Sequence, residues 1–356
     1  MELRICLGKL AAKGWHTLSD VLYANFVARG FVNNSIFNLT HPWNRDNCFD
    51  PFCLIKEKLT NHGIEINTDD VNVGRPLAFE LHMDVQKQSI SRKCYLLMLE
   101  TAQVQPANGV QANHDCYRKI LTWDDELVDD DRFIKINFPN PIQIHPVDGF
   151  VNRVIFCTLI AGNKALSVSD ERNLYPERVK AIRWFEKQAA QDFDLYGVGW
   201  DMPEVRGGVL GKLQSRFWKV ARRFVKLRPF PSYRGKVANK SDVLSRARFA
   251  ICYENVRDLS GYITEKIFDC FFSGCVPVYW GASNVTDYIP ADCFIDRRKF
   301  SDTAAVYAFL KMISEEEFRG YQQRIVAFLQ SDAAYPFSSE YFAETIVSTI
   351  VKDLGN

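Results

Sequence analysis

The sequence predicts an α/β protein built from two β/α domains, and three observations carry that prediction. Short apolar runs rich in β-branched and aromatic residues recur along the chain and end abruptly in polar residues, as buried parallel strands do. Stretches with helical spacing separate them. A Pro- and Gly-rich passage, Phe138-Pro139-Asn140-Pro141 through His145-Pro146-Val147-Asp148-Gly149, divides the chain into two such series and puts the domain boundary near residue 150. With 356 residues, 47% of them hydrophobic and 24% charged, there is material for two cores of ordinary size.

In the first half, residues 3–7 read as a strand, and Leu18, Val21, Leu22, Phe26 and Val27 have the spacing of a helix or an adjoining turn. Asp50-Pro51 opens a helix carrying Phe52, Leu54, Ile55 and Leu59, which His62-Gly63 stops before a strand over 64–67. Further strands are predicted at 76–81, 94–99, 119–123 and 132–136. The strand at 94–99 ends in Glu100, and a carboxylate at the C-terminal end of a parallel strand faces the crevice of an open sheet. Glu100 is therefore a candidate base, set against a solvated loop residue. Trp123-Asp124-Asp125-Glu126 with Asp129-Asp130-Asp131 has the look of a metal-binding acidic string; a solvated acidic loop is preferred. No Gly-x-Gly-x-x-Gly turn or phosphate-binding loop of the Walker type occurs in this half, which gives no sign of a nucleotide site here.

The second half opens with a strand over 151–160. Tyr175-Pro176-Glu177 starts a helix with Val179, Ile182 and Phe185 on one face. Arg178 in its first turn offers a fork of donors to phosphate, and Arg183 is the alternative one turn on. After a strand at 194–198, residues 206–248 are strongly basic. Leu213, Phe217, Val220, Phe224 and Leu227 give that stretch an apolar face, equally suited to an anionic membrane surface and to the protein's own domain. Residues 249–253 form a buried strand ending in Glu254-Asn255. Ile263, Ile267, Phe268, Phe271 and Phe272 then mark a short buried helix stopped by Ser273-Gly274, and residues 275–280 return as a strand. Glu265 and Lys266 fall in the first turn of that helix, at the rim of a parallel sheet, where backbone N–H groups favour an anion; alone they read as a surface ion pair, in this setting as holders of sugar hydroxyls and phosphate. Residues 302–310, 315–329 and 337–350 supply cover helices.

The ordered series Glu254-Asn255, Gly261-Tyr262-Ile263-Thr264-Glu265-Lys266-Ile267, Val276-Pro277-Val278-Tyr279-Trp280-Gly281-Ala282 and Cys293-Phe294-Ile295-Asp296 resembles the signature of the bacterial branch of the α1,3/4-fucosyltransferases. It spans about fifty positions of unlike chemistry, far more than a lone glycine motif. The resemblance implies two Rossmann-like domains facing each other across a cleft, the GT-B arrangement. Residues 1–150 would then bind the acceptor, and 151–356 would bind GDP-fucose and carry the cover helices. It implies inverting transfer of fucose to a glycan hydroxyl, N-acetylglucosamine in a β-galactoside-containing surface polysaccharide or lipopolysaccharide. Glu100 would be the base and Arg178, Asn255, Tyr262, Glu265 and Lys266 the donor site. No metal would be required, with a divalent ion at most stimulatory. Two rivals stand beside this reading, a transferase for another nucleotide sugar and a non-catalytic glycan- or nucleotide-binding protein.

A net charge of +1 gives no overall drive toward nucleic acid. The ten cysteines form no Cys-x-x-Cys pair, several lie in apolar runs, and they read as reduced residues of a cytosolic enzyme. Six scattered histidines offer no metal spacing. Neither a signal peptide nor a run of about 20 apolar residues is present. Animal members of the family carry a membrane anchor and work in the Golgi lumen, so the expectation is a bacterial cytoplasmic enzyme, peripheral at the inner membrane through 213–227, or a shortened chain.

Overall fold

The computed structural model describes residues 21–86, 93–166, 170–204, 216, 218 and 228–355. The strand expected at 3–7 and the basic amphipathic stretch 213–227 lie outside the described residues apart from Arg216 and Trp218.

Among the described residues, two six-stranded, all-parallel sheets make up the fold. The first contains β1 (Leu22–Val27), β2 (Ile64–Thr68), β3 (Leu77–Met83), β4 (Cys94–Met98), β5 (Lys119–Thr122) and β6 (Phe133–Lys135), in the spatial order 2-1-3-4-5-6. The helical or turn reading of residues 18–27 is corrected here, because Leu22–Val27 is an inner strand of this sheet, next to the edge strand β2. Hydrogen bonding to β2 on one side and β3 on the other, with Ala24 and Phe26 fully buried, overrides a spacing that happened to fit a helix. Helix α1 (Asp50–Asn61) starts with proline in its first turn and ends at His62 and at Gly63, whose φ is +72°, before β2.

The second sheet contains β7 (Ile155–Ile160), β8 (Phe193–Tyr196), β9 (Tyr233–Gly235), β10 (Ala247–Tyr253), β11 (Val276–Trp280) and β12 (Ile295–Asp296), in the order 12-11-10-7-8-9. Its helices are α2 (Tyr175–Gln188), α3 (Ser241–Leu244), α4 (Glu265–Phe272), α5 (Thr303–Met312) and α6 (Glu315–Leu329). The chain fills one side of β7 with β8 and β9, then crosses to the other side with β10. The gap between the C-terminal ends of β7 and β10 is therefore a topological switch point, where open α/β sheets bind ligands.

The last helix, α7 (Ser339–Gly355), returns to the first sheet. Phe342, Ala343, Ile346, Val347 and Ile350 are buried in one core with Phe52, Ile55 and Leu59 of α1. At its end Asp353 accepts from Tyr95 Oη at 2.6 Å and pairs with Arg118. The connection between the sheets is tied down by Arg153. Its buried guanidinium pairs with Asp148 at 3.0 Å and donates to the carbonyls of Leu244, Ala247 and Ser273. No helix among the described residues is long and apolar enough to cross a membrane.

Candidate active site

A cavity of about 260 Å³ opens at the β7–β10 switch point. Its floor is residues 159–162 at the end of β7 and 250–253 at the end of β10, and its walls include Lys164, Arg178, Lys240, Asn255, Glu265 and Lys266. A lobe of about 620 Å³ shares Lys164, Lys240 and Glu265 with it and extends to Trp43, Arg45 and Asp46 from the first domain. Together they have the size of a small-molecule or cofactor site.

The residues expected from the sequence at a donor site are positioned by the end of β10. Glu254, fully buried, accepts from Thr264 N at 2.9 Å and from Thr264 Oγ1, and takes the Lys266 ammonium at 2.9 Å. Thr264 is also the cap of α4, so one buried carboxylate fixes both the start of the helix and its lysine. Gly281 is required at this point because a Cβ there would lie 2.5 Å from Glu254 Cγ. Burial alone would lower Lys266, but Glu254 and Glu265 overcome it and hold the ammonium above its ordinary value. Burial likewise works to raise Glu265, and Lys266 with Lys240 pulls it below the usual carboxylate range, so Glu265 is ionised. Lys240 stands 2.6 Å from Asp269 and 3.5 Å from Glu265.

Arg178 reaches the cavity from α2. It is 4% exposed, donates to Tyr253 O at 2.7 Å and Asn255 Oδ1 at 3.0 Å, and lies over the Tyr175 ring. Its partners there carry no full charge, and burial lowers it from its ordinary value, which favours an anion as its companion. Arg183, the alternative in the sequence, instead pairs with Glu186 at 2.7 Å and packs on Phe230.

Tyr262 does not line the cavity. Its ring is 2% exposed and packs on Trp123 (4.8 Å) and Phe138 (5.8 Å), with its hydroxyl 3.4 Å from Asn255 Nδ2. The preceding Gly261 has φ +82°, and a Cβ on it would lie 2.2 Å from Trp123 O, so this turn packs closely against the first half. Asp125, from the acidic string, completes that contact: it pairs with Lys135 and accepts from Asn284 Nδ2 at 2.9 Å and Tyr288 Oη at 2.6 Å. Asp129 accepts from the backbone N–H groups of residues 131, 132 and 133, and Asp131 pairs with Lys119. Asp129 and Asp131 thus serve local structure, while Asp125 links the two halves.

Glu100 sits just past β4, half-buried, on the first-domain side of the cleft. Burial, then the Asp84 carboxylate, raise it above an ordinary glutamate, while Lys266 and Lys164 oppose them and Glu265 adds to them. The carboxyl thus feels charges of the second domain across the cleft. Glu254 and Lys164 were given no role of their own at this site from the sequence. The signal for Glu254 was there, since it ends an apolar parallel strand as Glu100 does; Lys240 was one cation among many in the basic stretch.

Residues 221–324 match the family model described as the C-terminal domain of glycosyltransferase family 10 (fucosyltransferase). The chain is 34% identical over 77 residues to the Helicobacter pylori alpha-(1,3)-fucosyltransferase FucT, covering 22% of this chain and 16% of that protein. It is 37% identical over 73 residues to the Arabidopsis thaliana alpha-(1,4)-fucosyltransferase, covering 20% and 18%. The matched stretch is thus less than a fifth of the length of these relatives. Over the whole chain, the fold is similar to the crystal structure of an alpha1,3-fucosyltransferase with GDP-fucose (TM-score 0.52, 15% identity, 99% of this chain and 94% of that one). It is also similar to Anabaena HepE in complex with UDP and glucose (TM-score 0.50, 10% identity, 93% and 100%). The two parallel sheets are thus those of a GT-B fold, and residues 221–324 are similar to the C-terminal domain of glycosyltransferase family 10, the fucosyltransferase family.

Proposed function

We propose that the protein is an inverting fucosyltransferase that moves L-fucose from GDP-fucose to a glycan hydroxyl. The observation that carries the reading is the gathering of Arg178, Asn255 and Lys266 around one cavity at the switch point of the second sheet, with Glu100 of the first domain outside that lining but within electrostatic reach of Lys266 and Lys164. The family of the matched domain and the relatives' GDP-fucose complex support that donor. Residues 1–150 take the acceptor and 151–356 the donor in this reading.

Glu100, ionised, removes the proton of the acceptor hydroxyl as its oxygen bonds to the anomeric carbon; the bond from that carbon to the diphosphate oxygen breaks, GDP leaves, and the configuration inverts. The charge that develops on the diphosphate is met by Arg178, Lys266 and the N–H groups opening α4. Glu265 accepts from ribose or fucose hydroxyls, and Tyr262 supports Asn255 from behind. Because burial, then Asp84, raise Glu100, its carboxylate is a stronger base than an ordinary one.

The acceptor that suits this reading is N-acetylglucosamine in a β-galactoside-containing surface polysaccharide or lipopolysaccharide, joined in α1,3 or α1,4 linkage. A lipid-linked acceptor would give the basic stretch 206–248 a purpose at the cytoplasmic face of an anionic membrane, which sedimentation with phosphatidylglycerol vesicles tests.

The test of the donor is release of GDP or UDP from GDP-fucose, GDP-mannose and UDP-galactose, with β-galactoside and N-acetylglucosamine acceptors and with EDTA. Turnover of GDP-fucose alone, undiminished by EDTA, is expected, since protein cations supply the countercharge. Turnover of another donor instead makes this a transferase of different specificity. Absence of both turnover and GDP binding leaves only a shared fold.

A further inference from the structure

Glu100 lies on a stretch without regular structure, where a side chain would ordinarily be poorly fixed. Two side chains from neighbouring turns hold the Glu100 backbone. Asp84, one residue beyond β3, has φ +58°, in the left-handed region. Its Oδ1 accepts from the backbone N–H of Leu99 and of Glu100, both at 2.9 Å. Asn108, 4% exposed, donates its Nδ2 to that same Asp84 oxygen at 2.8 Å and to the carbonyl of Glu100 at 2.8 Å, while its own Oδ1 accepts from Val85 N at 2.9 Å. The Glu100 backbone is therefore gripped on its N–H side by Asp84 and on its C=O side by Asn108, and Asn108 ties the two together. Trp123 Nε1 donates to Leu99 O at 2.8 Å and closes a third side.

We propose that Asp84 and Asn108 form a clamp that positions Glu100 for proton removal, an inference that rests on the reading of Glu100 as the base. A left-handed aspartate and a buried asparagine that spends both amide hydrogens on this one junction are more than a loop needs to close. A base must be held to a fraction of an ångström from the hydroxyl it deprotonates, and a peptide fixed at both ends gives that hold. Asp84 has a second consequence. Among the described residues, the charges that act on the Glu100 carboxyl are Asp84 from the turn after β3, Lys266 and Glu265 from α4, and Lys164 beyond β7. Asp84 is the carboxylate of the base's own domain among them, so the clamp also strengthens the base.

The test uses Asp84→Asn, which keeps an oxygen acceptor and removes the charge, and Asn108→Ser, which removes the amide hydrogens. Glu100 is titrated by carboxyl ¹³C NMR, its signal assigned by its loss in Glu100→Gln, and transfer from GDP-fucose to N-acetyllactosamine is measured alongside. Asp84→Asn should lower the Glu100 midpoint by roughly half a pH unit or more. Asn108→Ser should lower kcat roughly tenfold or more and leave KM for GDP-fucose within about twofold. Either an unmoved midpoint in Asp84→Asn, or parental kcat in Asn108→Ser, overturns the clamp; if Asp84→Asn does not fold, the kcat–KM split of Asn108→Ser decides alone. Full transfer by Glu100→Gln refutes the reading of Glu100 as base, and the titration still reports separately on Asp84.

Discussion

Replacing Glu254 with glutamine asks what holds Lys266 and what the lysine is for. Glu254 is fully buried, its carboxylate lies 2.9 Å from the Lys266 ammonium, and it accepts two bonds from Thr264. Glutamine keeps the shape and an oxygen for Thr264 N but removes the charge. Breaking a buried ion pair on one side costs about 3–5 kcal/mol. The Lys266 side chain is 24% exposed, so water and Glu265, 3.9 Å away, relieve part of the stranded charge. The expected loss is about 2–3 kcal/mol, or about 5–10 °C in melting temperature for a domain of some 200 residues. The lysine then lacks its main countercharge, and a bound diphosphate supplies one. Differential scanning fluorimetry with and without saturating GDP should therefore show a lower melting temperature and a larger GDP-induced rise in Glu254→Gln than in the parent. An unchanged melting temperature, or a GDP-induced rise smaller than the parent's, refutes the assignment of Lys266 to phosphate.

Two further perturbations probe the frame around the site. Gly261→Ala puts a methyl group against the Trp123 carbonyl at a residue with φ +82°, and strain plus overpacking should cost about 2–4 kcal/mol in urea denaturation; a loss below 0.5 kcal/mol, on the order of an ordinary surface substitution, would contradict the tight contact between the halves. Arg118, with help from Tyr95, holds Asp353 at about 2, below its unfolded value, so its stabilisation is present above that unfolded value and is lost as the pH falls from about 4 toward 2. Arg118 is 42% exposed, which screens the pair to about 1 kcal/mol. Asp353→Asn should therefore be less stable than the parent by that amount at pH 7, with the gap closing below pH 4; a gap independent of pH would assign the effect to packing instead.

Much of this was legible in the sequence because parallel strands buried on both faces write continuous apolar runs. Residues 94–99, 249–253 and 275–280 were readable as strands, and their polar ends marked Glu100 and Asn255. Strand β1 was not, because Leu22–Val27 owes its conformation to neighbours on either side rather than to a pattern of its own. Short edge strands such as β9 leave even less trace. At the site, the first turn of α4 announced Lys266, but the residue that holds it, Glu254, lies twelve positions earlier and meets it only because the sheet edge brings strand end and helix start together. The same holds for Asp125, whose partners Asn284 and Tyr288 lie more than 150 residues away, so an acidic string that reads as solvated turns out to join the two halves. Tyr262 sits in the donor motif and turns its ring toward the first domain, a direction no spacing encodes.

The central claim is that one carboxylate of the first domain acts on a donor held by the second. It is tested most directly by Glu100→Ala, with transfer from GDP-fucose and GDP affinity by calorimetry measured on the same sample. The account predicts transfer reduced at least about a thousandfold, from loss of the base and its placement, with GDP affinity within about threefold of the parent. Transfer retained within about tenfold, or GDP binding lost together with transfer, would contradict it.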